Sequence, residues 1–291
     1  MSTVEPGSHA GASPAPIPSD LSFGEVLRET RGARKLSQLE LAVEAGISQR
    51  HLSFLESGRA RPSRGMVLQL AESLELPLRV RNRLLVAAGF APVFPQRPLD
   101  SAAMAPVRQA LQRLLDHHEP YPALVMDRGW NILMTNRALE RLTGLLGDVD
   151  ALWRRVCGDG PRNMLKLTFH PQGMRPLIVN MAEVGSHLLT RARLEALEEP
   201  AVARLLDEIL AWPDTPARWK QAEPAAHPPP ALAAQMRLNG VRLNLFTMLS
   251  TFGTPQDLTT DSLRVEHLFP ADAESELLLK RLAGLQEKAR S

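Results

Sequence analysis

The sequence predicts an all-α five-helix N-terminal unit followed by an α+β domain in which helices cover an antiparallel sheet. Three observations carry that prediction. Ser37 to Ser63 reads as two short helices about a tight turn, a helix-turn-helix. Arg128-Gly129 and Asn239-Gly240 each separate two apolar runs with hairpin chemistry. The stretches between them place apolar residues at helical spacing. At 291 residues the chain has room for two ordinary cores, since domains cluster near roughly 100 to 150 residues.

Taken in order, residues 1–20 are rich in Pro, Gly, Ser and Ala and hold too little apolar surface to offset their ordering entropy, so a disordered arm is expected. The N-terminal domain is placed at 21–90. Ser22 caps a helix over Phe23 to Arg34 with Phe23, Val26, Leu27 and Thr30 along one face. Ser37, followed three residues later by Glu40, is a capping box, with Leu39, Ala42 and Val43 recurring behind it. Gly46 supplies the turn and Ser48 caps the next helix, which buries Leu52 and Leu55 and leaves Gln49, Arg50, Ser53 and Phe54 to project elsewhere. Ser63 caps a fourth helix carrying Val67, Leu70, Ala71 and Leu74, and Pro77 opens a fifth with Val80, Leu84 and Leu85. Three prolines make 91–101 a stiff linker.

The second domain is placed at 102–291. Ser101 caps a helix bearing Val107, Leu111, Leu114 and His118. PALVMD and WNILMTN form a hairpin, after which Asn136 caps a helix through Leu142. Leu152 to Val156 is a short helix, and Pro176 to Glu198 a long one with Leu177, Met181, Val184 and Leu188 on one stripe. Pro200 opens a helix ending before Pro213, and the proline-rich AEPAAHPPPA is a loop. Strands return at Leu232 to Leu238 and Val241 to Phe252, the latter entering the core from Leu245 to Leu249, where the run is almost continuously apolar. Ser262 to Phe269 is a further strand, and Asp272 caps a closing helix with Leu278, Leu282 and Leu285 inward.

Composition narrows the function classes. No apolar run approaches the ~18 residues that a membrane span needs, and the first twenty residues lack the features of a secretory signal, so a cytoplasmic protein is expected. The single cysteine, Cys157, cannot form an internal disulfide or a CxxC site. Residues 21–90 hold eleven Lys/Arg against seven Asp/Glu, whereas 91–291 carry 23 of each. The positive excess therefore sits with the helix-turn-helix, as phosphate neutralisation requires.

The motif resembles the Xre/phage-repressor family: Gln38, Ala42, Gly46, Ser48-Gln49 and Leu55-Glu56-Ser57-Gly58-Arg59 fall at its spacing. The resemblance implies a DNA-binding transcription regulator, with Arg31 and Glu56 as a structural ion pair. PALVMDRGWNILMTN, LKLTFHPQGMRPLIVN and FTMLSTFGTPQDLTTDSLRVEHLFP resemble the ligand-binding module of MmyB-like regulators. That second resemblance implies a PAS-like fold and a fatty-acid-like or otherwise apolar small ligand.

Candidate site residues follow. Gln49, Arg50, Ser53 and Phe54 occupy the positions that family members turn toward base edges; Gln suits adenine, Arg suits guanine, and a ring suits a thymine methyl or the domain core. Ser37, Gln38 and Ser48 at helix starts, with Arg59, Arg61 and Ser63 after the second helix, are expected to position the phosphate backbone. Trp130, Leu133, Leu139, Trp153, Phe169, Phe246, Met248 and Phe252 are candidates for a pocket wall or for ordinary core, and Arg175, His170 and Asn180 for holding a carboxylate head. A homodimer is expected, because one recognition helix makes a small interface. No metal or cofactor beyond a bound apolar ligand is expected: His117, His118, His187 and His267 have no metal-ligand spacing. Two alternatives stand beside this reading. A self-cleaving Ser/Lys repressor is suggested by Ala88-Gly89, with Ser186 and Lys220 as the pair at plausible separation, but nothing is arranged to activate that serine. The other is an interaction protein of antitoxin type, which a flat exposed patch on the C-terminal half would favour.

Overall fold

The computed structural model describes residues 21–197, 199–220, 231–238 and 240–284, without the Arg218 side chain. The expected arm at 1–20, most of the proline-rich loop, Asn239 of the second hairpin and Leu285 lie outside the described residues. Contacts divide the chain into two compact units, Met1–Pro95 and Gln96–Ser291.

The first unit is five helices around one core. They are α1 (Phe23–Ala33), α2 (Gln38–Glu44), α3 (Gln49–Glu56), α4 (Arg64–Ser73) and α5 (Leu78–Ala87). Ser22, Ser37, Ser48 and Ser63 each accept a backbone N–H of the first turn that follows, and the first two form reciprocal capping boxes with Glu25 and Glu40. Phe23, Leu27, Leu41, Leu52, Leu55, Leu70 and Leu84 meet in the centre. Gly24 lets α1 cross α3 closely, since a Cβ there would stand 2.4 Å from the Glu56 carbonyl oxygen. Asn82, buried on α5, holds the backbone N–H groups of Val93 and Phe94 and donates to the Phe94 carbonyl.

One helix face differs from expectation. In α2 the buried residues are Leu41 and Ala42, whereas Leu39 and Val43 are 55% and 71% exposed. Over a helix of seven residues and its C-cap, 39/42/43 and 41/42/45 are equally good stripes, and only packing against α3 and α4 selects the second.

The second unit begins with α6 (Ala105–His117), entered through a 3-10 turn at Ala102–Met104. Then come β1 (Ala123–Met126), β2 (Ile132–Thr135), α7 (Arg137–Gly144), α8 (Val149–Cys157), α9 (Met164–Phe169), α10 (Met181–Ala196), α11 (Pro200–Ala211) and α12 (Ala217–Lys220). β3 (Ala233–Leu238), β4 (Val241–Ser250), α13 (Leu258–Ser262), β5 (Arg264–Pro270) and α14 (Ala273–Leu282) complete it. The five strands form one sheet in the order β2-β1-β5-β4-β3, every pair antiparallel. Alternation gives each face its own cluster. Leu124, Met126, Leu243 and Leu245 join residues of α7, α9, α10 and α11, while Ala123, Val125 and Val265 pack against Leu111 and Leu115 of α6.

Four expectations are corrected. Ser101 precedes the 3-10 turn without a side-chain cap, and the inward residue of α6 is Leu115, with Leu114 39% exposed. The helix expected from Pro176 is interrupted: Arg175–Leu177 is a 3-10 turn, Ile178 bridges to Met236, and α10 starts at Met181. Asn180 causes the break by donating to the Ala233 carbonyl and accepting the Gln235 N–H, which ties the chain to β3. The apolar run of β4 enters the core only at Leu245, 1% exposed: β3 pairs as far as Ala233 opposite Phe246, and Thr247 to Ser250 beyond it are exposed. The last strand starts two residues later than expected, since Ser262 still belongs to α13, a helix with no clear sequence signal.

Candidate functional site

In the first unit a single outward edge gathers the expected readers. Ser48 fixes the start of α3, whose inward residues are Leu52, Leu55 and Glu56. Helical geometry therefore turns Gln49 and Arg50 outward, where both are exposed, with Ser53 and Phe54 half-buried beside them. The Arg50 guanidinium lies 5.3 Å from the Phe54 ring centroid and that of Arg59 lies 5.9 Å from it. Phe54 thus has two cations within reach of its ring and is absent from the buried core. Arg59, Arg61 and Ser63 are exposed in the loop that follows, Ser63 capping α4.

Behind that edge, Glu56 is 3% exposed and fully partnered. Arg31 reaches it with Nε to Oε1 at 2.6 Å and Nη2 to Oε2 at 3.0 Å, and donates through Nη1 to the Leu36 carbonyl. Burial pushes the Glu56 carboxyl up, but hydrogen bonds from Arg31 and Gln38 and the charges of Arg31 and Arg28 outweigh it and hold the group below its ordinary value. Gln38 is held differently from its expected role at a phosphate: its Nε2 donates to Glu56 Oε2 at 2.8 Å. Ser37 and Ser48, by contrast, are exposed helix caps.

The second unit contains a cavity of about 1030 Å³ between the sheet and its helices. Of the expected wall residues, Leu139, Trp153 and Phe246 line it. The others stand elsewhere, each for a local reason. Trp130 and Phe169 are 1% exposed and belong to the solid core, Trp130 donating to Glu195 and Phe169 meeting Trp219 edge-on. Leu133 and Met248 point outward, 40% and 56% exposed: Leu133 is the residue left unpaired where the β1–β2 register shifts, and Met248 alternates with Thr247 and Leu249, which line the cavity. Phe252 packs with the α6 cluster.

The expected head-group residues are committed to the fold. His170 sits edge-on to Trp212, and burial together with Arg155 keeps its imidazole below the usual range. Arg175 donates to the Pro213 and Asp214 carbonyls and lies over Trp219. Asn180 links α10 to β3 as described above.

Polar residues that the sequence reading missed occupy these places. Glu183, Ser186, His187, Thr190 and Arg191 line the cavity from α10, a polar stripe at i, i+3, i+4, i+7 and i+8. That periodicity was visible in the sequence, but an exposed helix face looks the same. Glu266, on the central strand β5, faces the cavity with only 9% exposure. Burial raises its carboxyl, against the Arg191 charge and a hydrogen bond from Thr247, and Oε2 has no hydrogen-bond partner among the described residues. Its signal was a lone acid in the strand LRVEHLF. Ser186 donates to the Ala182 carbonyl one turn back, the ordinary use of a helical serine. No group of three or more His, Cys, Asp or Glu able to hold a metal occurs among the described residues, and no helix among them is long and apolar enough to cross a membrane.

Comparison with known proteins agrees with this division. Residues 27–80 match a helix-turn-helix family, and residues 107–282 match the MmyB-like transcription regulator ligand binding domain. Two relatives come from Bacillus subtilis: an HTH-type transcriptional regulator, RghRB, is 41% identical over 75 residues, covering 25% of this chain and 52% of its own. The HTH-type transcriptional repressor RghR is 42% identical over 70 residues, 24% of this chain and 50% of its own. An HTH-type transcriptional regulator of Mycobacterium tuberculosis is 39% identical over 67 residues, 23% and 26% respectively. The chain thus spans about half or less of these relatives' length. The solved structure of an RNA-binding light-oxygen-voltage receptor aligns over 89% of this chain and 63% of that one at 16% identity, with a TM-score of 0.26 that carries no argument about fold. With its helix-turn-helix unit joined to a ligand-binding domain matched over most of its length, this chain belongs to the MmyB-like transcription regulators.

Proposed function

We propose that the protein binds a specific DNA operator through α3, as a homodimer, and that an apolar, fatty-acid-like small molecule in the cavity of the second unit changes its operator affinity. The observation that carries the reading is the outward edge of α3, where Gln49 and Arg50 are exposed beside a cap that fixes their direction. A major groove admits such a helix, and a Gln–adenine or Arg–guanine pair discriminates by about 1–3 kcal/mol. Ser53 and Phe54 flank that contact, and Ser37, Ser48, Arg59, Arg61 and Ser63 approach the phosphates. One helix makes a small interface, so paired half-sites about 34–36 Å apart are the remedy that a dimer supplies. The volume and largely apolar lining of the cavity support a small amphiphile as effector. A coupling of about 1–3 kcal/mol between cavity and operator would suffice for regulation.

The test is an operator selected from a random duplex library, with binding then measured for wild type and Arg50→Ala. Arg50→Ala is expected to weaken specific binding by about 1–3 kcal/mol and random-duplex binding much less. Equal losses on both would assign Arg50 to the phosphates alone. Native mass spectrometry of the purified chain is expected to show a co-purifying amphiphile, and repeating the operator titration with and without it measures the coupling.

A further inference from the structure

The floor of the cavity holds an acid that the fold itself does not use. Glu266 stands on the central strand, opposite Leu124 of β1 and Leu249 of β4, and is hemmed by apolar side chains. Its Oε2 is buried and has no protein partner among the described residues, unlike Glu56, which every neighbour satisfies. A buried polar atom is normally hydrogen-bonded, so an orphan facing a cavity points to a group that arrives with the ligand.

The charges around it decide what that group is. Arg191, which also lines the cavity, gives its Nε to Glu195 at 3.0 Å and lies over the Trp130 ring at 4.5 Å. Arg264 bonds the same Glu195 oxygen, and the other Glu195 oxygen accepts from Trp130. Two guanidinium groups therefore share one carboxylate, leaving a positive surplus, while Arg128 is matched by Asp261. A cation placed beside Glu266 would meet that surplus. An oxygen acceptor meets Arg191 beside the orphan oxygen, and burial shifts Glu266 toward the protonated form, which donates.

We propose that Glu266 and Arg191 form the head-group end of the cavity and select an amphiphile whose head accepts hydrogen bonds, a carbonyl or an oxyanion, over one whose head is cationic. This rests on the reading of the cavity as the ligand site. The polar mouth, with Glu140, Glu183, His187 and Thr190 exposed, then serves as the entrance.

The test displaces the uncharged probe N-phenyl-1-naphthylamine from the full chain with palmitic acid, palmitamide and hexadecylamine, in wild type, Glu266→Leu and Glu266→Gln. In wild type the acid and amide are expected to compete at least about tenfold better than the amine. With each variant's own probe affinity measured and used to convert the displacement curves, Glu266→Leu loses about tenfold for acid and amide, whereas Glu266→Gln, which keeps an N–H donor, retains most of it. The thermal midpoint of Glu266→Leu is expected at or above wild type, because a buried acid with one unpartnered oxygen is removed. An amine that competes as well as the acid, or Glu266→Leu binding all three as wild type does, overturns the head-group proposal while the cavity reading stands. Failure of the probe to bind wild type overturns the cavity reading, and this proposal with it.

Discussion

Glu56 in the helical unit and Glu266 in the sheet unit are both buried, 3% and 9% exposed, yet their surroundings are opposite. Glu56 receives Arg31, Gln38 and the charge of Arg28, and its carboxyl lies below the ordinary range. Glu266 faces a cavity with one oxygen unpartnered, and its carboxyl lies above that range. Burial acts on both in the same direction, and only partners separate them. A buried acid with a complete set of partners is therefore part of the scaffold, whereas one that lacks them marks where something else binds.

The sharpest way to break this contrast is to remove each acid in turn. Glu56→Ala strands the Arg31 guanidinium, 15% exposed, and is expected to cost about 3–5 kcal/mol in urea unfolding followed by far-UV circular dichroism. Glu266→Leu removes a cost and is expected to be neutral or to stabilise by about 1–3 kcal/mol. All four tryptophans lie beyond Pro95, so their fluorescence follows the second unit alone and separates the two results. A large loss in Glu266→Leu would mean that Glu266 is scaffold after all.

The pH dependence sharpens the same comparison. Glu56 has a lowered folded pKa, so its contribution is present above its ordinary value of 4.5 and lost as pH falls through the folded value. Glu266 has a raised one, so its contribution is present below 4.5 and lost as pH rises toward the folded value. Unfolding midpoints across that range should fall on acidification for the first unit. The gain from Glu266→Leu should grow as the solution becomes less acid. The smallest expected effect is Arg34→Ala, whose exposed pair with Glu75 at 3.6 Å should be worth less than about 1 kcal/mol; a larger loss would give its bond to the Glu75 carbonyl the greater part.

Much of the scaffold was legible because its signals are local. Ser22, Ser37, Ser48, Ser63, Asn136 and Asp272 each cap the helix expected after them, since a cap bonds a backbone N–H within the next three residues. The first hairpin and the strand pair on either side of Gly240 follow from turn chemistry of the same short range. The reading failed where distance along the chain mattered. Asn180 broke an expected helix through bonds to residues 53 and 55 positions away, and the β4 run lost its cover because β3 ends early. Most of the proposed pocket wall failed likewise, because large apolar residues fill cores more often than they line cavities.

Sequence alone therefore determined the helix-turn-helix and the outward residues of α3, together with the antiparallel, helix-covered plan of the second unit, while the Arg31–Glu56 pair, 25 residues apart, was implied only by the family resemblance. Tertiary structure alone decided which residues surround the cavity and that Glu266 stands there with one oxygen unpartnered. The physical reason is one of range: caps, turns and helical faces are set by neighbours a few residues away. A cavity is a space left between elements from distant parts of the chain, and no single segment encodes its walls.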